Sequence, residues 1–205
     1  DMEELWHIPE GRNCLVNQVL YHTGSRGIEY SLLPWMREHD VALMSYCPLA
    51  QAGTLREGIL NNPVLKEIAK KYNATVEQVM LAWNIRDGHT IAIPRSGKAE
   101  HTLLNAGADK IQPTEEDYKA LLKVLSQSNF DRLGFEKQEG ESDEDEMVRQ
   151  LIVGNMIKAD DETAKAQASQ IFDNYRDNLE KLPAAIRLQV LVNQIKHHES
   201  KELTK

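Results

Sequence analysis

The sequence predicts an α/β fold followed by an all-α segment, and three observations carry that reading. From Cys14 to about Ala108, short and nearly continuous apolar runs alternate with helical patterns. Runs of that kind suit the strands of a parallel sheet covered by helices. Beyond about Ser126 the strand-like runs stop and three long helical patterns follow. Within that second half lies "EGESDEDE" at 139–146, six acids in eight residues, which reads as a solvated linker ending in the first turn of a helix.

"CLVNQVLY" (14–21) is the first apolar run, followed by the glycine-containing loop "HTGSRG". "IEYSLLPWMREHD" (28–40) predicts a helix with Leu32, Leu33 and Met36 on one side. "VALMSYC" (41–47) and "TIAIPR" (90–95) supply the second and third strands. Between them, Asn62–Pro63 places a capping side chain before a proline at the first helical position. Thr75 and Gln78 have capping-box spacing ahead of "VMLAW". A last helix of this half, "TEEDYKALLKVL" (114–125), starts at Thr114 after Pro113.

In the second half, 143–159, 161–180 and 184–198 read as helices. Ala164, Ala168, Ile171, Phe172, Tyr175 and Leu179 repeat at close to the helical period, an amphipathic stripe. Pro183 separates the last two helices. Short links between them imply antiparallel neighbours, as in a bundle or helical repeat array.

The chain has 205 residues, 41% hydrophobic and 27% charged, enough for one domain or two small ones. No run reaches transmembrane length, and no signal peptide is read at the start. Asp1 rather than Met opens the sequence, so residues upstream are expected. Two cysteines, Cys14 and Cys47, lack metal-ligand spacing and suit a reducing, cytoplasmic setting. A net charge of -8 argues against a nucleic-acid partner, which demands a basic face, and no membrane partner is expected.

The chemistry concentrates in "IAIPRSGKAEHTLLN" (91–105), a strand running into a turn and a helix start. Free N–H groups at a helix N-terminus attract anions, and the Arg95 guanidinium can add two parallel hydrogen bonds to phosphate oxygens. Arg95 and Ser96 by themselves also fit an ordinary solvated turn. Gln18 alone fits a satisfied strand-end polar group, and Tyr46 alone fits a core position.

"NQVLYH" (17–22), "SYCPLAQAG" (45–53) and "IPRSGKAEHTLLN" (93–105), in that order and spacing, resemble the aldo-keto reductases, and "DMEELWHIPEGRN" (1–13) resembles their bacterial methylglyoxal-reductase branch. The likeness covers roughly residues 1–124 and implies a partial (β/α)8-barrel, its last three strand–helix units. It implies NADP(H) as cofactor, weakly held if bound. Gln18 would hydrogen-bond the nicotinamide carboxamide and Tyr46 would stack on its ring. Cys47 stands where the family usually has serine near the pyrophosphate, with Leu49 in the same loop. Arg95 and Ser96 match the pair at the 2′-phosphate, His101 stands where many members have arginine, and Asn105 matches the adenine contact. The family's catalytic Asp, Tyr, Lys and His belong to strands and loops preceding these motifs. Tyr21 and His22 match no catalytic position.

Residues 129–157 and 182–199 resemble the C-terminal helical domain of bacterial aminopeptidase N, a zinc peptidase. That family's His-Glu-x-x-His and Gly-x-Met-Glu-Asn motifs are absent from the sequence. His197–His198 point about 100° apart on a helix and read as helix-end side chains rather than metal ligands. The expected organisation is therefore a partial barrel at 1–125, an acidic junction at 126–142 and a helical domain at 143–205.

Three functional readings follow. The chain is a truncated oxidoreductase-family protein that has lost its catalytic half and keeps weak dinucleotide affinity, or a helical interaction or capping module from a peptidase with the barrel fragment as passenger, or a non-functional fusion of two gene fragments. Three strands cannot close a barrel, so two edges and an apolar inner face need cover. The second-half helices, self-association through the open edge, or loss of order in the sheet would each answer that need.

Overall fold

The structure is a computed structural model that describes residues 1–202, with side chains through Lys196. It divides into two compact units, Asp1–Thr114 and a second beginning at Glu115.

In the first unit, α1 (Met2–Trp6) precedes β1 (Val16–Leu20), α2 (Leu32–Glu38) and β2 (Ala42–Tyr46). Then come α3 (Thr54–Asn61), α4 (Pro63–Lys71), α5 (Val76–Ile85), β3 (Thr90–Ala92) and α6 (Ala99–Ala106). The three strands are parallel in the order β1-β2-β3, with Gln18 opposite Met44, Leu20 opposite Tyr46 and Met44 opposite Ile91. Strand alternation splits the side chains between two faces. Leu43, Ser45 and Thr90 are buried, beneath a helical layer in which α2 packs on β2 and α5 on β3. Leu33, Met36, Leu65, Ile68, Val79, Met80 and Trp83 fill that layer. On the opposite face Val16, Ile91 and Ile93 stay 37–46% exposed, and Gln18 is exposed with them. This is the architecture of three consecutive units of a (β/α)8 barrel.

Local chemistry explains where elements start and stop. The Asn62 carboxamide oxygen accepts from Val64 N–H (3.0 Å) and Leu65 N–H (3.3 Å), which sets the start of α4 at Pro63. At the start of α5, Thr75 and Gln78 form the reciprocal capping box that their spacing predicts. The helix predicted over 28–40 is shorter, because the Pro34 ring would clash with the carbonyl four residues back. Its first part is instead a 3-10 turn at Gly27–Glu29. The strand predicted over 90–95 ends sooner as well. Ile93 N–H still reaches the Ser45 carbonyl at 3.2 Å, and Pro94 has no N–H to continue the ladder.

In the second unit, α7 (Glu115–Leu133), α8 (Asp143–Lys158), α9 (Glu162–Tyr175) and α10 (Ala184–Glu202) follow in order. The sequence suggests that α7 stops near Leu125. It runs to Leu133, and Gly134, at φ 51°, ends it in the left-handed conformation glycine tolerates. Phe130, Ile152, Val153, Met156, Ala164, Ala168, Leu182, Ile186 and Val190 form one core. From the predicted stripe, Ile171, Phe172 and Tyr175 pack against it, whereas Leu179 lies beyond the end of α9 and is exposed. The acidic run does feed a helix start. Ser142 caps α8 in a capping box with Asp145, and four acids occupy its first turn. Arg149, 1% exposed, donates to the carbonyls of Leu133 and Glu136 and pairs with Glu141. Among the described residues no helix is long and apolar enough to cross a membrane.

Candidate functional site

At the ends of β2 and β3 the chain turns sharply twice, and the two turns face one cleft. The first turn follows β2. Ala50 N–H donates to the Cys47 carbonyl at 2.9 Å, with Cys47 and Ala50 both in the left-handed region (φ 49° and 62°). Non-glycine residues adopt that conformation at a cost of about 1–2 kcal/mol, and this turn projects Leu49. The second turn follows β3. Ser96 Oγ accepts from Lys98 N–H (3.1 Å) and lies 3.0 Å from the Lys98 carbonyl, folding the chain into α6. No side chain caps the N-terminus of α6, which leaves its first-turn N–H groups open.

The cleft holds about 260 Å³ and is lined by Leu49, Arg56, Thr75, Glu77, Arg95, Ser96, His101, Leu104 and Asn105. Five of the eight residues expected to contact a cofactor are therefore gathered there: Leu49, Arg95, Ser96, His101 and Asn105. The far wall is held by Gln78. Its amide nitrogen donates to the Leu104 carbonyl at 2.9 Å, tying the end of α6 to the capping box of α5. Gln18, Tyr46 and Cys47 do not line this cleft. Gln18 is exposed on β1, Tyr46 is half-buried at the end of β2, and Cys47 is half-buried in the turn that follows.

Sequence reasoning passed over Arg56, Glu77 and Leu104, and saw Thr75 only as a cap. Arg56 sits on α3, in a stretch whose spacing carries no phosphate signature. Only the tertiary fold brings it to the cleft that Arg95 also lines.

Tyr21 and His22 are buried structural groups. The Tyr21 hydroxyl donates to Glu29 Oε1 at 2.6 Å and receives Arg86 Nη2 at 3.1 Å. Burial, and then the charge of Glu29, push the Tyr21 hydroxyl well above its ordinary range. The Tyr21 carbonyl accepts from Ser45 Oγ (2.5 Å) and Asn84 Nδ2 (2.9 Å), locking the end of β1 to β2 and α5. Arg26 Nη2 lies 2.6 Å from Glu29 Oε2, and Arg26 and Arg86 both stack on Trp83. Burial by itself would raise the Glu29 carboxyl, but the hydrogen bonds and charge of Arg26, with Tyr21 and Arg86, hold it below the usual carboxylate range. Burial holds the His22 ring below the ordinary imidazole range, and its Nδ1 accepts the Gly24 N–H at 3.1 Å. Neither group faces the cleft.

Among the described residues no three His, Cys, Asp or Glu side chains gather as a metal site requires. His197 and His198 lie outside the residues whose side chains are described.

The chain is 46% identical over 124 residues to methylglyoxal reductase YeaE of Escherichia coli (strain K12), covering 60% of this chain and 44% of that protein. Its fold superposes on an aldo-keto reductase from Klebsiella pneumoniae solved in complex with NADPH. That match has a TM-score of 0.59 and 44% identity, over 61% of this chain and 44% of the other. It is also 44% identical over 95 residues to aminopeptidase N of Lactococcus lactis subsp. lactis, covering 46% of this chain and 11% of that enzyme. The chain thus spans less than half the length of the reductases it matches and a small part of the peptidase. Because the family model for aldo/keto reductases matches residues 2–126, well over half of the sequence, the chain belongs to the aldo/keto reductase family.

Proposed function

We propose that the first unit binds the adenosine 2′-phosphate end of NADP(H), weakly, and that residues 1–205 on their own neither reduce carbonyls nor cleave peptides. The observation that carries this reading is the shared cleft of Leu49, Arg95, Ser96, His101 and Asn105. At about 260 Å³ it is smaller than the roughly 300–1,000 Å³ of sites that enclose a drug-sized ligand. That size suits one end of a dinucleotide. Arg95 supplies charge, and the uncapped start of α6 supplies N–H donors and a favourable dipole. NADPH in the Klebsiella pneumoniae neighbour supports the choice of cofactor. The family's proton donor and its partners match no position in these residues, so acid–base chemistry has nothing to act with.

Titration of the full chain with NADPH and NADH, followed by amide chemical shifts, tests the reading. NADPH should shift the 95–105 amides more strongly than NADH, because only it carries the 2′-phosphate. Arg95→Glu should abolish that preference. Equal shifts with both cofactors would refute it. Methylglyoxal-dependent NADPH oxidation above a no-protein control, lost on Tyr46→Ala, would refute the lack of turnover.

The likeness to aminopeptidase N favours a second reading for the helical unit, as a capping or interaction module rather than a peptidase. It has its own core, and hydrolysis of aminoacyl arylamides should not exceed background.

A further inference from the structure

Arg56 stands out in the cleft. It is half-buried, it comes from α3 rather than from the β3–α6 turn, and it shares the same space as Arg95. Among the described residues neither guanidinium has an ion-pair partner, although each can make five hydrogen bonds. Glu77 is the single carboxylate lining the cleft, against two guanidiniums and His101. Two like charges in one small space repel each other when empty, and the repulsion is relieved by an anion that reaches both.

We infer that Arg56 is a second phosphate-binding residue, acting with Arg95 on a phosphate monoester, and that it sets the preference for a 2′-phosphorylated nucleotide. This rests on the proposed NADP(H) reading and adds to it a residue from a different strand–helix unit. The ligand class follows from charge. A monoester carries about -1.5 to -2 near pH 7 and three terminal oxygens, enough for two guanidiniums approaching from different walls. A phosphodiester carries a single negative charge and suits one of them. Arginine's planar fork makes the contact directional, so lysine in its place keeps the charge and loses the paired hydrogen bonds.

The test uses the full chain with adenosine 2′,5′-bisphosphate and adenosine 5′-monophosphate as probes, titrated by NMR at low salt. Arg56→Gln should weaken the bisphosphate by about tenfold, the low end for one charge-assisted contact, and leave the monophosphate within about twofold. Arg56→Lys should fall between Arg56→Gln and the unmodified chain. Lowering the pH through the second phosphate ionisation, near 6, should shrink the difference between the unmodified chain and the Arg56→Gln variant. If Arg56→Gln binds the bisphosphate unchanged while Arg95→Gln loses it, the assignment of Arg56 is wrong and the underlying reading survives. If Arg56→Gln weakens both nucleotides equally, the side chain is structural and the inference falls. If the unmodified chain binds the two probes equally, the NADP(H) reading fails and takes this inference with it.

Discussion

Glu29 accepts the Tyr21 hydroxyl and faces the guanidiniums of Arg26 and Arg86, with its side chain only 12% exposed. Replacing it by glutamine removes the carboxylate that both guanidiniums share, and breaking a buried pair in this way costs about 3–5 kcal/mol. The three tryptophans, Trp6, Trp35 and Trp83, all lie in the first unit, so their fluorescence in urea follows that unit alone. Glu29→Gln should lower its urea midpoint sharply at pH 7. The same carboxyl predicts an acid limb. Its folded pKa lies below the ordinary 4.5, so between the two values the unfolded chain binds the extra proton. Its contribution is fully present above 4.5 and is lost as pH falls through the folded value. His22 acts with the same sign at higher pH. Its folded pKa lies below the ordinary 6.5, so its contribution is fully present above 6.5 and is lost as pH falls through the folded value. His22→Gln should flatten the first decline and Glu29→Gln the second. An unchanged acid limb in Glu29→Gln would refute the assignment.

At the scale of elements, the helix starts rest on single side chains. Asn62 holds two first-turn N–H groups of α4, a helix that buries Leu65, Ile68 and Ala69. Asn62→Ala should cost about 1 kcal/mol of first-unit stability, and Asn62→Asp should keep most of it. Urea midpoints by tryptophan fluorescence check both. An Asn62→Ala chain as stable as its parent would mean that Pro63 alone sets the start of α4.

At the scale of the whole molecule, the second unit begins at Glu115, and α7 packs on α8. A fragment of residues 115–205 should therefore show helical circular dichroism and one cooperative melt. A fragment of 129–205 keeps only the last turn of α7 and should melt at lower urea. Equal midpoints would show that the first part of α7 contributes nothing to this unit. That comparison also places the domain boundary, between a junction after residue 125 and a break at Thr114.

The sequence by itself determined the strands, the caps at Asn62 and Thr75, the acidic first turn of α8, and the family. Each of these rests on residues close together in the chain: an apolar run, a side chain reaching an N–H two or three residues on, a motif of fixed spacing. Tertiary structure decided the rest. Helix α7 outran its predicted end because Phe130 and Leu133 gain burial that no local pattern signals, and only Gly134 stops it. Tyr21 and His22 look reactive as residue types, yet packing seals them 1–2% exposed within bonds of their own. Arg56 shows the limit most plainly. It is 39 residues from Arg95 in the sequence, and the parallel order of β2 and β3 brings their following turns to one end of the sheet. Parallel neighbours start from the same end, so their exits converge however long the connection between them.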